Sequence, residues 1–410
     1  MNVKSLGIPR AELEDRQRRA REQAGERGLA ALLVWSRFGT DMYRFGDVTY
    51  LTDHHGPVGD FQDAAGWLGH GYNPLILPVE GDSVLLVDLP VPDPERICAD
   101  EVRFSQRIPD AVAAALAELG LDRAPLGLVG QQVLLASSRD AIAARLGHEL
   151  DLRPADDILE TMRMVKSDAE VALVRNAVRV GCECMERMMR AVAAGVTQGD
   201  VVAEGIAHLV ANDGFPTDVA ITTGTDSWLY HNPVGPPNWD CTTPLAPGEM
   251  VHVDLWGPVR RYYTDFARST VVGGEPTAAQ REILEAPLQA LPEILAAVRP
   301  GNTIGDLFAS GERWMKENGW LDPALSLADS PPEAGPLFEH VPIFGHGIGM
   351  STEQPWIVAG SPVEIVPNMV LAIEFIIARG REGAYLEHDV LVTEDGFEIL
   401  DAACPERWWS

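Results

Sequence analysis

Acidic and imidazole side chains interrupt apolar, strand-like segments at five places in the second half of the chain. They are Asp254 in segment 250–256, Asp265 in 262–267, His346 in 344–349, Glu374 in 370–377 and Glu387 in 385–390. A carboxylate inside a buried strand stays ionised only where a cation or strong donors replace its hydration. One such residue alone would most simply be an exposed or salt-bridged strand residue. Five together predict a shared positive charge, most simply a pair of divalent metal ions.

Carboxylate and imidazole ligands define the kind of metal that such a site would hold. This donor set suits Mn, Co, Zn or Fe, and paired metals about 3.5–4 Å apart are commonly held by bridging carboxylates. We therefore expect two divalent metal ions as cofactors. His252 lies two residues before Asp254, so both side chains face the same way on a strand. It is a further ligand, a hydrogen-bond donor to the site or a core histidine.

The charge balance and the cysteine pattern limit the other binding partners. The chain has 32 Lys and Arg against 61 Asp and Glu, a net charge of −29, which disfavours nucleic acids and anionic membrane surfaces. Of five cysteines only Cys182 and Cys184 lie close together, a pattern that favours a reducing compartment over a disulfide framework. The charged N-terminal segment is unlike a signal peptide, and no apolar run reaches the roughly 18 residues of a membrane span. We expect a soluble, cytoplasmic protein.

The pattern of strands and helices divides the chain into two domains. Over residues 1–160, short apolar strands alternate with amphipathic helices, which indicates an α/β domain. Residues 161–410 begin with a helix start signal, in which Ser167 and Glu170 form a capping box. A long helix, a β-rich stretch, two further helices and a strand-rich last part follow, which indicates an α+β domain.

The spacing of the five residues resembles that of the pita-bread metallohydrolases, a family that includes methionine aminopeptidase, Xaa-Pro aminopeptidase, prolidase and creatinase. Asp254 and Asp265 are eleven residues apart, and Gly-His-Gly-Ile-Gly surrounds His346. Segment 163–170 resembles the start of the pita-bread domain, and segment 47–52 resembles part of the creatinase-type N-terminal domain. The resemblance implies an α/β N-terminal domain, a C-terminal α+β pita-bread domain with a curved antiparallel sheet, and a homodimer.

The resemblance also implies a role for each ligand. Asp254 would be the terminal carboxylate on one metal, Asp265 and Glu387 would bridge, and His346 and Glu374 would complete the second metal. Glu374 would accept a proton from the attacking water and return it to the leaving group. Segment 224–231 has the family's interval between its glycine and its histidine, so His231 would donate to the oxyanion or the leaving nitrogen. A histidine before Asn-Pro is equally compatible with a loop-capping role.

Several residues on the substrate side depart from the family pattern. Glu353 stands where peptidases of the family have a second histidine, and Tyr385 stands where an arginine is usual. A negative Glu353 among aromatic faces would favour a cationic substrate. We therefore expect Glu353 to act at the catalytic site, and Tyr230, Trp356, Tyr385 and Asp226 to bind the substrate. The resemblance to creatinase-type proteins further implies that His54 or His55 binds substrate in the active site of a partner subunit. Phe375, within an apolar run, is more simply a core residue.

The function most consistent with these features is metal-dependent hydrolysis of an amide or other C–N bond in a small substrate. An Xaa-Pro dipeptide is the first candidate substrate, and a non-peptide amide is the next. One alternative is a metal-dependent lyase that cleaves dimethylsulfoniopropionate, whose sulfonium cation would suit an acidic aromatic pocket. Another alternative is a metal-free binding module, against which five intact ligands argue.

Overall fold

The computed structural model describes residues 6–37, 46–56, 63–64, 66–215, 218–229, 232, 237–320 and 344–410. The chain forms two compact units, Gly7–Arg163 and Met164–Ser410. The boundary that the sequence predicts, between residues 160 and 161, lies three residues before this division. Among the described residues, no helix combines the length and the apolar character that crossing a membrane requires.

The N-terminal unit is an α/β domain. Its helices are α1 Arg10–Glu26, α2 Gly46–Thr52, α3 Ile108–Glu118, α4 Ala136–Leu146 and α5 Asp156–Met164. Its strands are β1 Ala31–Val34, β2 Leu75–Pro78, β3 Val84–Val87, β4 Glu101–Phe104, β5 Leu126–Val129 and β6 Leu152–Pro154. They form one mixed sheet in the order β4-β3-β2-β1-β5-β6. Apolar strands therefore alternate with helices as the sequence predicts, and strands β1, β2, β3 and β5 are buried throughout.

The C-terminal unit combines four described helices with antiparallel strands. The helices are α6 Asp168–Ala191, α7 Gln198–Ala211, α8 Ala278–Leu295 and α9 Ile304–Glu317. The strands are β7 Asp218–Thr223, β8 Met250–Val259, β9 Tyr262–Val271, β10 Gly345–Ile348, β11 Thr352–Trp356, β12 Val370–Arg379, β13 Glu382–Val392 and β14 Phe397–Ile399. They form sheets in the orders β7-β8-β9 and β11-β10-β12-β13-β14. This is the α+β arrangement predicted for the second domain.

Two long hairpins dominate the C-terminal unit, and each closes with a two-residue turn. Val259 pairs with Tyr262 at the end of β8 and β9, and the turn residues between them both have positive φ, 53° and 77°. Arg379 pairs with Glu382 at the end of β12 and β13, with Gly380 at φ 61° in the turn. Turns with positive φ match the right-handed twist of the strands that they join. Each turn thereby sets the register of its hairpin.

Helix α6 begins where the capping-box prediction places it. The Ser167 hydroxyl accepts from the main-chain N–H of Glu170, and the Glu170 carboxylate accepts from that of Ser167. Helices α8 and α9 pack on the sheet of β12 and β13 around a large apolar core. Phe375 is fully buried in this core, where its ring lies 5.4 Å from Trp314 and 5.8 Å from Phe344. The prediction that Phe375 is a core residue is confirmed.

Candidate metal centre and active site

Four of the five predicted ligands lie on the two long hairpins. Asp254 on β8 pairs with Ala267 on β9, so Asp265, two residues before Ala267, is a diagonal neighbour on the same face. Glu374 on β12 and Glu387 on β13 are direct partners. Strand β9 also packs beside β13. The fold therefore brings carboxylates from four strands into one region of the C-terminal unit.

His346 lies on β10, which pairs with β12, and so reaches the same region. One ligand atom from each of Asp265, His346 and Glu387 lies within 4.8 Å of the others, and Nε2 of His346 is 3.6 Å from Oδ2 of Asp265. Nδ1 of His346 lies 3.0 Å from the main-chain oxygen of Gly347, a bond that places the ring proton on Nδ1. Burial lowers the pKa of His346 to about 4, so the imidazole is neutral, as metal ligation requires.

Two glycines explain the sequence around His346. A Cβ at Gly345, where φ is +118°, would lie 1.8 Å from the main-chain oxygen of Ala372 on β12. A Cβ at Gly347 would lie 2.2 Å from the main-chain oxygen of Gln354 on β11. Only a residue without a side chain permits this approach of the backbones. The glycines thereby let the histidine strand fit between its neighbours with the imidazole beside Asp265.

The electrostatics of the cluster call for cations. All five residues are at most 6% exposed, and Oε2 of Glu387 is buried without a hydrogen bond from any described residue. Burial raises the pKa values of Asp265 and Glu387 well above their usual range, and repulsion from neighbouring carboxylates raises both further. Burial raises the pKa of Glu374 to about 7. Divalent cations would relieve this repulsion and satisfy the buried oxygen, so these residues fit a metal centre.

Glu353 lies close enough to the cluster for its negative charge to raise the pKa of His346, against the larger effect of burial. Its Oε1 is 2.8 Å from Nζ of Lys166, and the two side chains are 10% and 1% exposed. The Lys166 ammonium balances the negative charge of Glu353, so the pair has no net charge. The Glu353 carboxylate therefore gives little reason to expect a cationic substrate. A catalytic role of Glu353 stays a prediction.

The predicted substrate-binding residues of the C-terminal unit have different surroundings. Trp356 is 36% exposed, and its ring lies 5.3 Å from that of His346, which is compatible with a wall beside the metal site. Tyr385 is buried and its hydroxyl donates to Oε2 of Glu374. Asp226 forms an exposed ion pair of 2.8 Å with Arg381. Their roles in substrate binding stay predictions.

The remaining predicted site residues lie elsewhere or outside the described residues. Nε2 of His54, in the N-terminal unit, lies 2.9 Å from Oδ1 of Asn73, and His55 in the same unit is exposed. Tyr230 and His231 lie outside the part of the chain that the structure describes. The cross-subunit role of the two N-terminal histidines and the catalytic role of His231 therefore stay predictions.

His252, whose role the sequence left open, is buried beside Tyr385. The two rings are 5.9 Å apart and nearly perpendicular. Nδ1 of His252 lies 3.1 Å from the main-chain oxygen of Ser227, and the Thr222 hydroxyl lies 3.0 Å from its Nε2. These contacts belong to the surroundings of Tyr385, and the three-residue cluster that could hold a metal among the described residues does not include His252.

Three buried charged residues lie around the candidate metal centre in addition to those predicted from the sequence. Besides Lys166, they are Arg268 and Asp389, both fully buried. One guanidinium nitrogen of Arg268 donates to the main-chain oxygen of Glu387 at 2.7 Å, and another contacts Oδ2 of Asp401. Asp389 Oδ2 accepts from the main-chain N–H of Asp265 at 3.1 Å. Arg268 and Asp389 also interrupt buried strands, so the signal that indicated the candidate ligands could have indicated them as well.

Comparisons with known proteins show which family the C-terminal unit resembles. A model of metallopeptidase family M24 matches residues 172–394. The Xaa-Pro dipeptidase of Pyrococcus furiosus is 27% identical over 260 residues, which cover 61% of this chain and 66% of that protein. The probable dipeptidase PepE of Mycobacterium bovis is 30% identical over 255 residues, 62% of each chain. The match thus spans slightly less than two thirds of these relatives.

Solved structures resemble the chain over nearly its whole length. The prolidase from Pyrococcus horikoshii OT3 has a TM-score of 0.75 at 20% identity and covers 94% of this chain and 98% of its own. The dipeptidase PepE from Mycobacterium ulcerans has a TM-score of 0.73 at 25% identity and covers 98% of both chains. These likenesses confirm the predicted fold, an α/β domain followed by a pita-bread domain. Together with the match over residues 172–394, they show that the chain belongs to metallopeptidase family M24.

Proposed function

We propose that this chain is a two-metal dipeptidase that hydrolyses the amide bond of Xaa-Pro dipeptides. The observation that carries the proposal is the buried cluster of Asp265, His346 and Glu387, with Asp254 and Glu374 on the same two hairpins. Membership in a metallopeptidase family supports amide hydrolysis. The names of relatives, Xaa-Pro dipeptidase and dipeptidase PepE, support a dipeptide as the substrate.

The ligand set defines what each side chain would contribute. Asp254, Asp265, His346, Glu374 and Glu387 would hold two divalent cations, with Mn, Co, Zn and Fe as the candidates that suit these donors. When bound, the cations would lower the pKa of water and stabilise negative charge on the substrate amide. Glu374 would accept the proton of the attacking water and deliver it to the leaving nitrogen. His231 would donate to the developing oxyanion.

Two further properties, the cellular compartment and the oligomeric state, are proposed from other observations. The cysteines at positions 98, 182, 184, 241 and 404 are all free thiols, and four of them are buried, which supports a reducing compartment such as the cytoplasm. The resemblance to creatinase-type enzymes supports a homodimer. Sedimentation of the purified protein tests the second proposal directly.

A substrate screen after metal reconstitution tests the function. The purified protein would be stripped with a chelator, loaded with Mn, Co, Zn or Fe, and incubated with Xaa-Pro dipeptides and with matched Xaa-Ala dipeptides. We expect metal-dependent release of free proline, and less cleavage of the Xaa-Ala series. Absence of proline release with every metal would overturn the proposal. A parallel incubation with dimethylsulfoniopropionate, followed by detection of dimethyl sulfide, tests the lyase alternative, which the paired Glu353 does not favour.

A further inference from the structure

The hydroxyl of Tyr385 contacts Glu374, one of the five proposed metal ligands. Tyr385 lies two residues before Glu387 on β13, and Glu387 is the direct partner of Glu374 on β12. Tyr385 and Glu374 are therefore diagonal neighbours on one face of the sheet, a separation that an aromatic side chain can bridge. The Tyr385 hydroxyl donates to Oε2 of Glu374. One carboxylate oxygen of Glu374 is thus held by Tyr385, whereas Oε1 accepts no hydrogen bond from the residues that the structure describes.

The tyrosine itself is held in place on several sides. Its main-chain N–H donates to the Ser269 hydroxyl at 2.8 Å, and that hydroxyl donates to the main-chain oxygen of Tyr385 at 2.9 Å. The His252 ring lies 5.9 Å from the Tyr385 ring at 89°, and the main-chain oxygen of Ser227 fixes His252 in turn. Tyr385 is only 1% exposed. Its hydroxyl therefore has a defined position before any substrate arrives.

We propose that Tyr385 is a positioning residue for Glu374, which fixes the carboxylate so that Oε1 is the oxygen presented to the metals and to the attacking water. The sequence had assigned Tyr385 to the wall of the substrate pocket, whereas its burial and its bond to Glu374 point to an action through the ligand. Partners of metal ligands often contribute 10–100-fold to metal affinity or activity. The inference deepens the proposed function and rests on it for the kinetic effect. The effect of Tyr385 on metal binding can be measured without any substrate.

The test compares Tyr385→Phe with a matched control, Tyr262→Phe. Tyr262 is also buried, and its hydroxyl also donates to a carboxylate, Oε1 of Glu170 at 3.0 Å, but Glu170 belongs to a helix cap and not to the cluster. Each variant would be stripped, titrated with Co²⁺, and examined by visible absorption, which reports the ligand geometry. We expect Tyr385→Phe to bind Co²⁺ about 10–100-fold more weakly and with an altered spectrum, and Tyr262→Phe to match the wild type in both.

Kinetics and a double variant separate positioning from substrate contact. With an Xaa-Pro dipeptide, Tyr385→Phe should lower kcat by about 10–100-fold and leave KM within about twofold. In a Glu374→Ala background, which removes the acceptor, the same substitution should cause no further loss of Co²⁺ affinity, because Tyr385 acts through the Glu374 carboxylate.

Three results would overturn the inference. One is wild-type Co²⁺ affinity and spectrum in Tyr385→Phe. Another is a raised KM with unchanged kcat, which would make Tyr385 a substrate contact. The third is an equal loss of affinity in both backgrounds. If the wild-type protein hydrolyses no dipeptide, the proposed function fails, but the Co²⁺ titrations of Tyr385→Phe and Tyr262→Phe still decide the role of Tyr385.

Discussion

The ion pair between Lys166 and Glu353 can be tested by replacing the lysine with methionine, which keeps the apolar stem and removes the ammonium group. Both side chains are nearly buried, and Nζ lies 2.8 Å from Oε1. Removing one partner of a buried pair costs about 3–5 kcal/mol, because a charge is left in surroundings that solvate it poorly. For a unit of this size, each kcal/mol lowers Tm by about 2–4 °C, so Lys166→Met should lower Tm by about 10 °C.

The assay is calorimetric unfolding at neutral pH, and it includes a double variant and a surface control. The double variant Lys166→Met/Glu353→Gln should recover most of the lost stability, because neither side chain is then charged. Arg190→Met removes an exposed pair with Glu186, in which the side chains are 71% and 33% exposed, and should change Tm by less than about 2 °C. A single variant Lys166→Met that melts within about 2 °C of the wild type would refute the reasoning. So would a double variant that melts no higher than the single one.

Three further predictions concern the metal centre. Asp265→Asn should abolish metal loading and hydrolysis, as elemental analysis would show, and two retained metal equivalents would exclude Asp265 as a bridging ligand. Gly345→Ala adds a Cβ 1.8 Å from a main-chain oxygen of β12, so it should displace His346 and weaken Co²⁺ binding. The control Gly396→Ala adds a Cβ that meets no atom within 4 Å, and it should leave Co²⁺ binding unchanged. In metal-free protein, burial raises the pKa of Glu374 from 4.5 to about 7. Between these two pH values the folded state binds more protons than the unfolded state. The free energy of unfolding should therefore fall as the pH rises from 4.5 to about 7. Urea unfolding in the presence of a chelator should show this decrease in stability, and saturating metal should make the decrease smaller. Metal-free protein that is more stable at about pH 8 than at about pH 5 would contradict the prediction.

The candidate ligand set could be proposed from the sequence because its signal is local. A carboxylate such as Glu374 within an apolar strand conflicts with its own neighbours, and only a compensating charge resolves the conflict. Glycines on both sides of His346 mark a backbone that must approach other strands closely. The capping box at Ser167 and Glu170 is likewise contained within four residues. Each of these features can be found without knowing which strands pair.

The partners of these residues could not be predicted, because they depend on contacts between distant segments. Lys166 and Glu353 are 187 residues apart in the chain, and no periodicity indicates that they meet. Tyr385 is predicted at the substrate pocket from its aromatic side chain and from the arginine that is usual at its position, neither of which reveals the group that its hydroxyl contacts. Only the register of β12 and β13 reveals that its hydroxyl reaches Glu374. The contacts of the predicted substrate-binding residues therefore depend on strand pairing, which residue type does not reveal.

The two-residue turns of the ligand hairpins have a consequence for how such chains can change in length. In a hairpin closed by a two-residue turn, each residue of one strand lies opposite a residue of the other strand at an odd distance along the chain. Diagonal neighbours on the same face are also an odd number of residues apart. The intervals between Asp254 and Asp265, eleven, and between Glu374 and Glu387, thirteen, are accordingly both odd. One inserted residue in either arm would send a ligand to the opposite face unless a bulge absorbed it. Insertions and deletions between paired ligands should therefore be tolerated in twos, and a homologue with an even interval should contain a bulge.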